Sequence, residues 1–391
     1  MVAALAALAA LSACSTTSTG AAPDEETPSA TTASGAATDE PAADDHEIEA
    51  TRPRPLRPGE RRLTLTMPES YTPSAPTGVG TDDYRCFLLD PHLRRSAYLT
   101  GTFVKPGNAD VVHHVILFRV PPEQVAEAHA LDDRTPGDGW TCFGNSGLGG
   151  GPGLDNAPWL GAWAPGGKEA VEAKGFGVEL ARGTQIVMQV HYNLLAGASP
   201  DTSSTLLRLA PASAHLTPIE TVLLPAPVEL PCRKAHADGP LCDRDAALAD
   251  VTQRFGGAGA TANLLHMLCG AEIHPGNVQS CTRTITQPTT IRAVAGHMHL
   301  LGRSITIVVN PGTPEERTVL DIPVWNFDDQ GARPIAPVHL DPFDKVQVTC
   351  RHVQWLRDEL PAFEGQPDRY VVWGEGTTDE MCLGILEVTR P

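Results

Sequence analysis

Short apolar, β-branched runs set between Gly, Pro, Asn and Asp clusters limit what this chain can become. They cover 97–104, 111–120, 184–195, 204–209, 290–309, 345–350 and 383–388. Runs of this kind read as strands, and the small and polar clusters between them as turns. Helix signals are few and short, at 122–130 and 245–255. With 35 Pro and 36 Gly, the pattern points to an all-β fold built of sandwiches. Roughly 330 folded residues are too many for one sandwich of about 100 residues. Two consecutive antiparallel sandwich domains are therefore expected, at 63–210 and 211–391, with the Pro-rich stretch 211–231 as the boundary region. No repeat of fixed period is present.

The N-terminus differs in composition. MVAALAALAALSAC is an apolar run too short to span a bilayer comfortably, and it fits the hydrophobic region of a secretory signal at 1–14. Leu11-Ser12-Ala13-Cys14 resembles a bacterial lipobox in which Cys14 is lipidated. The alternative is an ordinary cleaved signal with an incidental cysteine; both imply export. From Ser15 to Thr51 there are nine Asp and Glu and no Lys or Arg. With almost no large apolar residue, 15–62 reads as a disordered tether. A net charge of −18 argues against nucleic acid as a partner, because phosphate binding needs a basic face. No apolar run of about 20 residues follows the N-terminus, so the only membrane contact expected is a lipid anchor.

Setting Cys14 aside leaves Cys86, Cys142, Cys232, Cys242, Cys269, Cys281, Cys350 and Cys382. An even number in an exported chain suggests four disulfides. None form C-x-x-C pairs, which disfavours a cysteine zinc site.

Histidines carry the chemistry. His113 and His114 sit side by side inside a strongly apolar strand, and His191 ends another, in Gln189-Val190-His191. His297-Met298-His299 places two imidazoles two residues apart, so in a strand they share a face and Met298 takes the other. Adjacent His113 and His114 would point to opposite faces of a regular strand, so sharing an ion needs a twist or different ring nitrogens. Imidazoles in apolar strands are costly unless paired or coordinated, which favours a metal. The remaining histidines, His46, His92, His129, His215, His236, His266, His274, His339 and His352, lie in loops or polar stretches and are expected to face solvent.

Near the C-terminus stands Gly374-Glu375-Gly376-Thr377-Thr378-Asp379-Glu380-Met381-Cys382. The ordered set His-His, Gln-x-His, His-x-His, Asp-Glu-Met-Cys resembles the copper type II, ascorbate-dependent monooxygenases, the family of peptidylglycine α-hydroxylating monooxygenase and dopamine β-monooxygenase. Further matches are Tyr84-Arg85-Cys86, Ala162-Trp163-Ala164 and Lys174-Gly175-Phe176-Gly177-Val178. The resemblance covers roughly Met67 to Val388. It implies a pair of jelly-roll-like sandwiches and two copper ions per chain: one on His113, His114 and His191, the other on His297, His299 and Met381. It further implies that the Met381 site activates O2 beside a small-molecule substrate, that the three-histidine site holds a second electron, and that ascorbate or another reductant reloads both. Gln189 matches a family glutamine that binds water or substrate. The resemblance also pairs Cys86 with Cys142 and Cys350 with Cys382. Three pairings stay open for the other four; short loops favour Cys232–Cys242 and Cys269–Cys281.

Donor chemistry agrees: imidazole suits copper and zinc, while a thioether favours Cu(I). The chain departs from the peptide-amidating members at Ala295, Leu383 and Ile385, where they carry an Arg, an Asn and a Tyr that hold the peptide; Arg292 is nearby but out of place. An apolar substrate pocket is expected in their stead. Two competing readings are a non-catalytic lipid-anchored copper-binding protein and a three-histidine zinc hydrolase.

Overall fold

The computed structural model describes residues 52–76, 81–149, 154–155, 157–195, 197–327 and 329–391. The signal segment, Cys14, His46 and most of the acidic tether lie outside the described residues. The described residues form one compact unit, and it is mostly β, as expected.

Two pairs of antiparallel sheets dominate it. In the first pair, Arg61–Thr66, Ser204–Pro211, Ala97–Lys105 and Phe176–Leu180 form one sheet in that order, extended by the short Thr217–Pro218 and Ala170–Val171. The other sheet runs Trp140–Thr141, Asp82–Leu89, Gln185–Asn193, Val112–Val120, Trp159–Trp163. Leu99, Val115, Leu117, Met188, Val190 and Leu207 fill the core between them. In the second pair, one sheet runs Glu220–Pro225, Leu383–Thr389, Thr289–His297, Arg333–Leu340 and the other Val278–Thr284, Lys345–His352, Gly302–Val309, Arg317–Ile322. Val222, Leu386 and Val388 share their core with Ile305, Ile307 and Val348.

Period-two alternation decides what each sheet shows to the outside. With Val115, Leu117, Met188 and Val190 in the core, His114, Gln189 and His191 fall on the outer face of the first pair. Gly296 and Gly384 face the second core: a Cβ at Gly296 would stand 2.9 Å from the Ile305 Cγ2, and one at Gly384 3.0 Å from the Ile307 Cδ1. Their neighbours Ala295, His297, Leu383 and Ile385 therefore face outward. The candidate site lies where these two outer faces meet.

Several expectations are corrected. Arg54–Arg62, assigned to the tether, are held in place: the Arg208 guanidinium pairs with Glu60 (2.6 Å) and donates to the Pro55 carbonyl (2.6 Å). The short strand Thr217–Pro218 returns to the first pair of sheets, so the hand-over falls after Pro218 rather than after Ala210. The run 290–309 is two strands, Thr289–His297 and Gly302–Val309, because Met298 and Leu301 turn into the core between them. The expected helices appear at Val125–Asp132 and Arg244–Phe255, the latter capped by Asp243, which accepts from the Ala246 N–H. A further helix, Thr261–Cys269, was not anticipated.

Four disulfides join Cys86–Cys142, Cys232–Cys242, Cys269–Cys281 and Cys350–Cys382. They fit an oxidising, extracytoplasmic compartment. Among the described residues no helix is long and apolar enough to cross a membrane.

Candidate metal centre

The strand Val112–Val120 carries a bulge: its register against Gln185–Asn193 shifts between Val112 and His114. The extra residue, His113, is thereby freed from alternation. Both imidazoles turn to His191, which is paired directly with His114. The Nδ1 of His191 lies 3.1 Å from that of His113 and 3.2 Å from that of His114. Of the two expected ways of sharing an ion, a distortion of the strand or different ring nitrogens, the structure has the first: the bulge lets both offer Nδ1.

The ring orientation of His191 has a cause. Its Nε2 donates to Asp82 Oδ1 (2.8 Å), which leaves a lone pair on Nδ1. Asp82 Oδ1 also accepts from Thr377, from the hydroxyl (2.8 Å) and the backbone N–H (3.2 Å). Tyr84 stacks on His191, ring centroids 4.0 Å apart. One lone pair can accept only one N–H, yet two neighbouring imidazole nitrogens face it. A shared cation resolves that conflict. Two nitrogens bound tetrahedrally at about 2.0–2.1 Å lie about 3.3 Å apart, close to the separations here.

The second set is oriented by different partners. His297 Nδ1 bonds Gln330 Oε1 (2.6 Å), and His299 Nδ1 faces the Asp379 carbonyl (3.3 Å). Both rings thus commit Nδ1–H and keep Nε2 for a ligand bond. Glu380 accepts from the His299 N–H (3.0 Å) and from the Leu301 N–H. His352 Nε2 lies 3.1 Å from the Met381 carbonyl and 3.2 Å from Glu380. Cys382, next to Met381, is tied to Cys350. The loop that presents Met381 is thus held on both sides of the thioether.

Both sets meet at one cavity of about 1690 Å³, lined by His113, His114, His297, His299, Met381 and Gln189 among others. The His114 and His297 rings stand 6.3 Å apart, and Phe327 stacks on His113 at 5.1 Å. Gln189 donates to the Asn145 carbonyl (2.9 Å), and its buried Oε1 has no partner among the described residues. One wall is built by cross-strand rows: Pro225–Leu383–His297, then Leu223–Ile385–Ala295, then Thr221–Glu387–Ala293. It stays apolar from His297 for nearly the whole of four residues, about 13 Å, before Glu387.

Burial sets the charge state. It pushes His113 down to about 4 and His297 to about 3, and holds His114 and His191 far below the usual imidazole range. Neutral rings are the metal-binding form. Burial pushes Asp82 up, and the Thr377 donors work against it.

Sequence reasoning missed Asp82, Thr377, Gln330 and the orienting role of Glu380. It placed His352 and His266 in solvent, but both are buried, His352 against Glu380 and His266 bonded to Glu229 (2.8 Å). An acid two residues before Tyr84 was the one local hint for Asp82; Gln330 had none.

No protein-family model matches the chain, and no curated protein matches it. Among solved structures it aligns weakly with a Paenibacillus xanthan lyase (10% identity, TM-score 0.18, 80% of this chain and 23% of that one). It aligns as weakly with an allantoicase (12%, TM-score 0.18, 75% and 78%) and a fucolectin from striped bass, Morone saxatilis (8%, TM-score 0.16, 80% and 84%). The chain thus spans about a quarter of the lyase. These scores are too low for a shared fold.

Asp82→Asn weakens metal binding at the three-histidine set by about 10–100-fold, measured by competition with a chromophoric chelator; unchanged affinity contradicts the orienting role. The depressed histidines also set a pH dependence. The unfolded chain takes up protons near 6.5 and the folded chain only near 4 or below, so the unfolded state binds more protons in between. Metal-free stability contributed by these rings is full above about 6.5 and falls towards pH 4. In urea melts across that window, the double variant His113→Asn, His297→Asn has a shallower slope than the wild type; equal slopes contradict it.

Proposed function

We propose that the chain is an exported copper-dependent monooxygenase that hydroxylates a C–H bond of an apolar small molecule, using O2 and an external one-electron reductant such as ascorbate. The observation that carries this reading is a cavity with an apolar wall lined by four imidazoles and one thioether, with a fifth imidazole, His191, beside two of them. The donors are unlike: three nitrogens on one side, two nitrogens and a soft sulfur on the other. Imidazole alone would suit zinc as well, but a thioether disfavours zinc and favours Cu(I). Zinc has no redox chemistry to use a second, sulfur-bearing set. Copper held by these residues would supply one electron at each set for the reduction of dioxygen.

The chain's own residues would do the rest. His113, His114 and His191 would hold one ion through Nδ1; His297 and His299, through Nε2, would hold the other with Met381. Asp82, Gln330 and the Asp379 carbonyl keep those rings aimed without a search through rotamers. Leu383, Ile385, Leu223 and Ala295 exclude water and bind apolar surface beside the sulfur-bearing set. The absence of polar groups at Ala295, Leu383 and Ile385 disfavours a peptide substrate. Lipidation at Cys14 would keep the enzyme at the cell envelope.

Copper-loaded protein supplied with ascorbate binds two copper ions per chain and consumes oxygen, and His297→Ala loses the uptake while the three-histidine set keeps its ion. Copper bound without oxygen uptake by the wild type reduces the chain to a copper-binding protein, and zinc bound in place of copper removes both readings.

A further inference from the structure

Glu169, Glu172, Asp329, Glu375 and Glu387 all line the cavity, and Glu375 is the most deeply buried of these acids. Glu375 is only 4% exposed, yet it lines the same cavity as His114, His297, His299 and Met381. Its position is fixed from several sides. The Tyr84 hydroxyl donates to its backbone carbonyl, and Tyr84 is the ring stacked on His191. Gly144 lies against its carboxyl group: a Cβ there would stand 3.0 Å from Glu375 Oε1. Two residues on, Thr377 is bonded to Asp82.

No cation among the described residues pairs with the Glu375 carboxyl group. The Trp373 indole faces it, but its N–H makes no well-formed hydrogen bond. The nearby guanidinium of Arg254 is committed to Asp379 through two bonds (2.8 and 2.7 Å) and to Asp250 (3.0 Å). The other titratable groups that bear on it are Asp379 and Tyr84, neither of which offers a positive charge. Ionising a carboxyl group in such a place is costly. Burial, with Asp379 adding repulsion, pushes Glu375 up to about 7. It is a buried acid that keeps its proton near neutrality and faces the reaction cavity.

The proposed reaction needs such a group. Inserting one oxygen atom balances as R–H + O2 + two electrons + two protons giving R–OH + H2O. The O–O bond breaks, one atom enters the C–H bond, and the other leaves as water and takes both protons. The electrons come from the external reductant. The histidines have little to give: His191, His297 and His299 commit their N–H groups to Asp82, Gln330 and the Asp379 carbonyl. We propose that Glu375 donates a proton to the oxygen atom that leaves as water and is reprotonated from solvent through the cavity mouth. This step rests on the monooxygenase reading.

Two measurements on the full chain separate the step from that reading. Infrared difference spectra of the copper-free protein follow buried protonated carboxyl groups against pH. A band that titrates near neutrality is expected in the wild type and lost in Glu375→Gln. Copper-loaded protein with ascorbate then gives pH profiles of oxygen uptake. Glu375→Gln is expected to keep its copper content and melting temperature, to lose turnover by about 10²-fold or more, and to lose the alkaline fall of the wild-type profile; Glu375→Asp recovers part of the rate. Wild-type turnover without the infrared band, or a Glu375→Gln profile like the wild type's, overturns Glu375 alone. The band present in a wild type that never consumes oxygen overturns the monooxygenase reading, and the proton step falls with it.

Discussion

One buried carboxylate oxygen ties the two halves of the site together. Asp82 Oδ1 accepts from His191 in the first pair of sheets and from Thr377 in the loop that leads to Met381. Without it, His191 could turn its other nitrogen inward, and the loop bearing the thioether would lose its grip on the opposite half. A buried acid with three donors is stable where one with none is not. The same residue thus selects the ring nitrogen that a metal would meet and joins the two ligand sets to one another.

The two sets reach complementary chemistry by opposite devices. In the first, hydrogen bonding at Nε2 of His191 exposes Nδ1. In the second, bonds at Nδ1 of His297 and His299 leave Nε2. The Met381 thioether, the weakest donor of the proposed set, has the most support: the Cys350–Cys382 disulfide on one side, and His352 with Glu380 on the other. Rigid placement matters most for a ligand whose own bond energy cannot enforce geometry.

Much of this was legible in local sequence. Apolar, β-branched runs between turn clusters located the strands, and short loops favoured the two disulfides Cys232–Cys242 and Cys269–Cys281. The remainder depended on partners distant in the chain. Strict alternation separates His113 from His114, and only the mismatch against the Gln185–Asn193 strand produces the bulge that reunites them. Met298 and Leu301 look like a continued strand because they are apolar, but they are buried in a turn. His352 and His266 have sequence neighbours that say nothing about Glu380 or Glu229. The helix Thr261–Cys269 is too short and too uniformly apolar for a helical period to stand out.

The central claim is that one of two copper centres carries the sulfur of Met381. X-ray absorption at the copper edge of reduced, copper-loaded protein tests it most directly. The account predicts a sulfur scatterer beside imidazole nitrogens in the wild type, lost in Met381→Ala while the nitrogen shell remains. A wild-type spectrum with nitrogen and oxygen neighbours alone would contradict it.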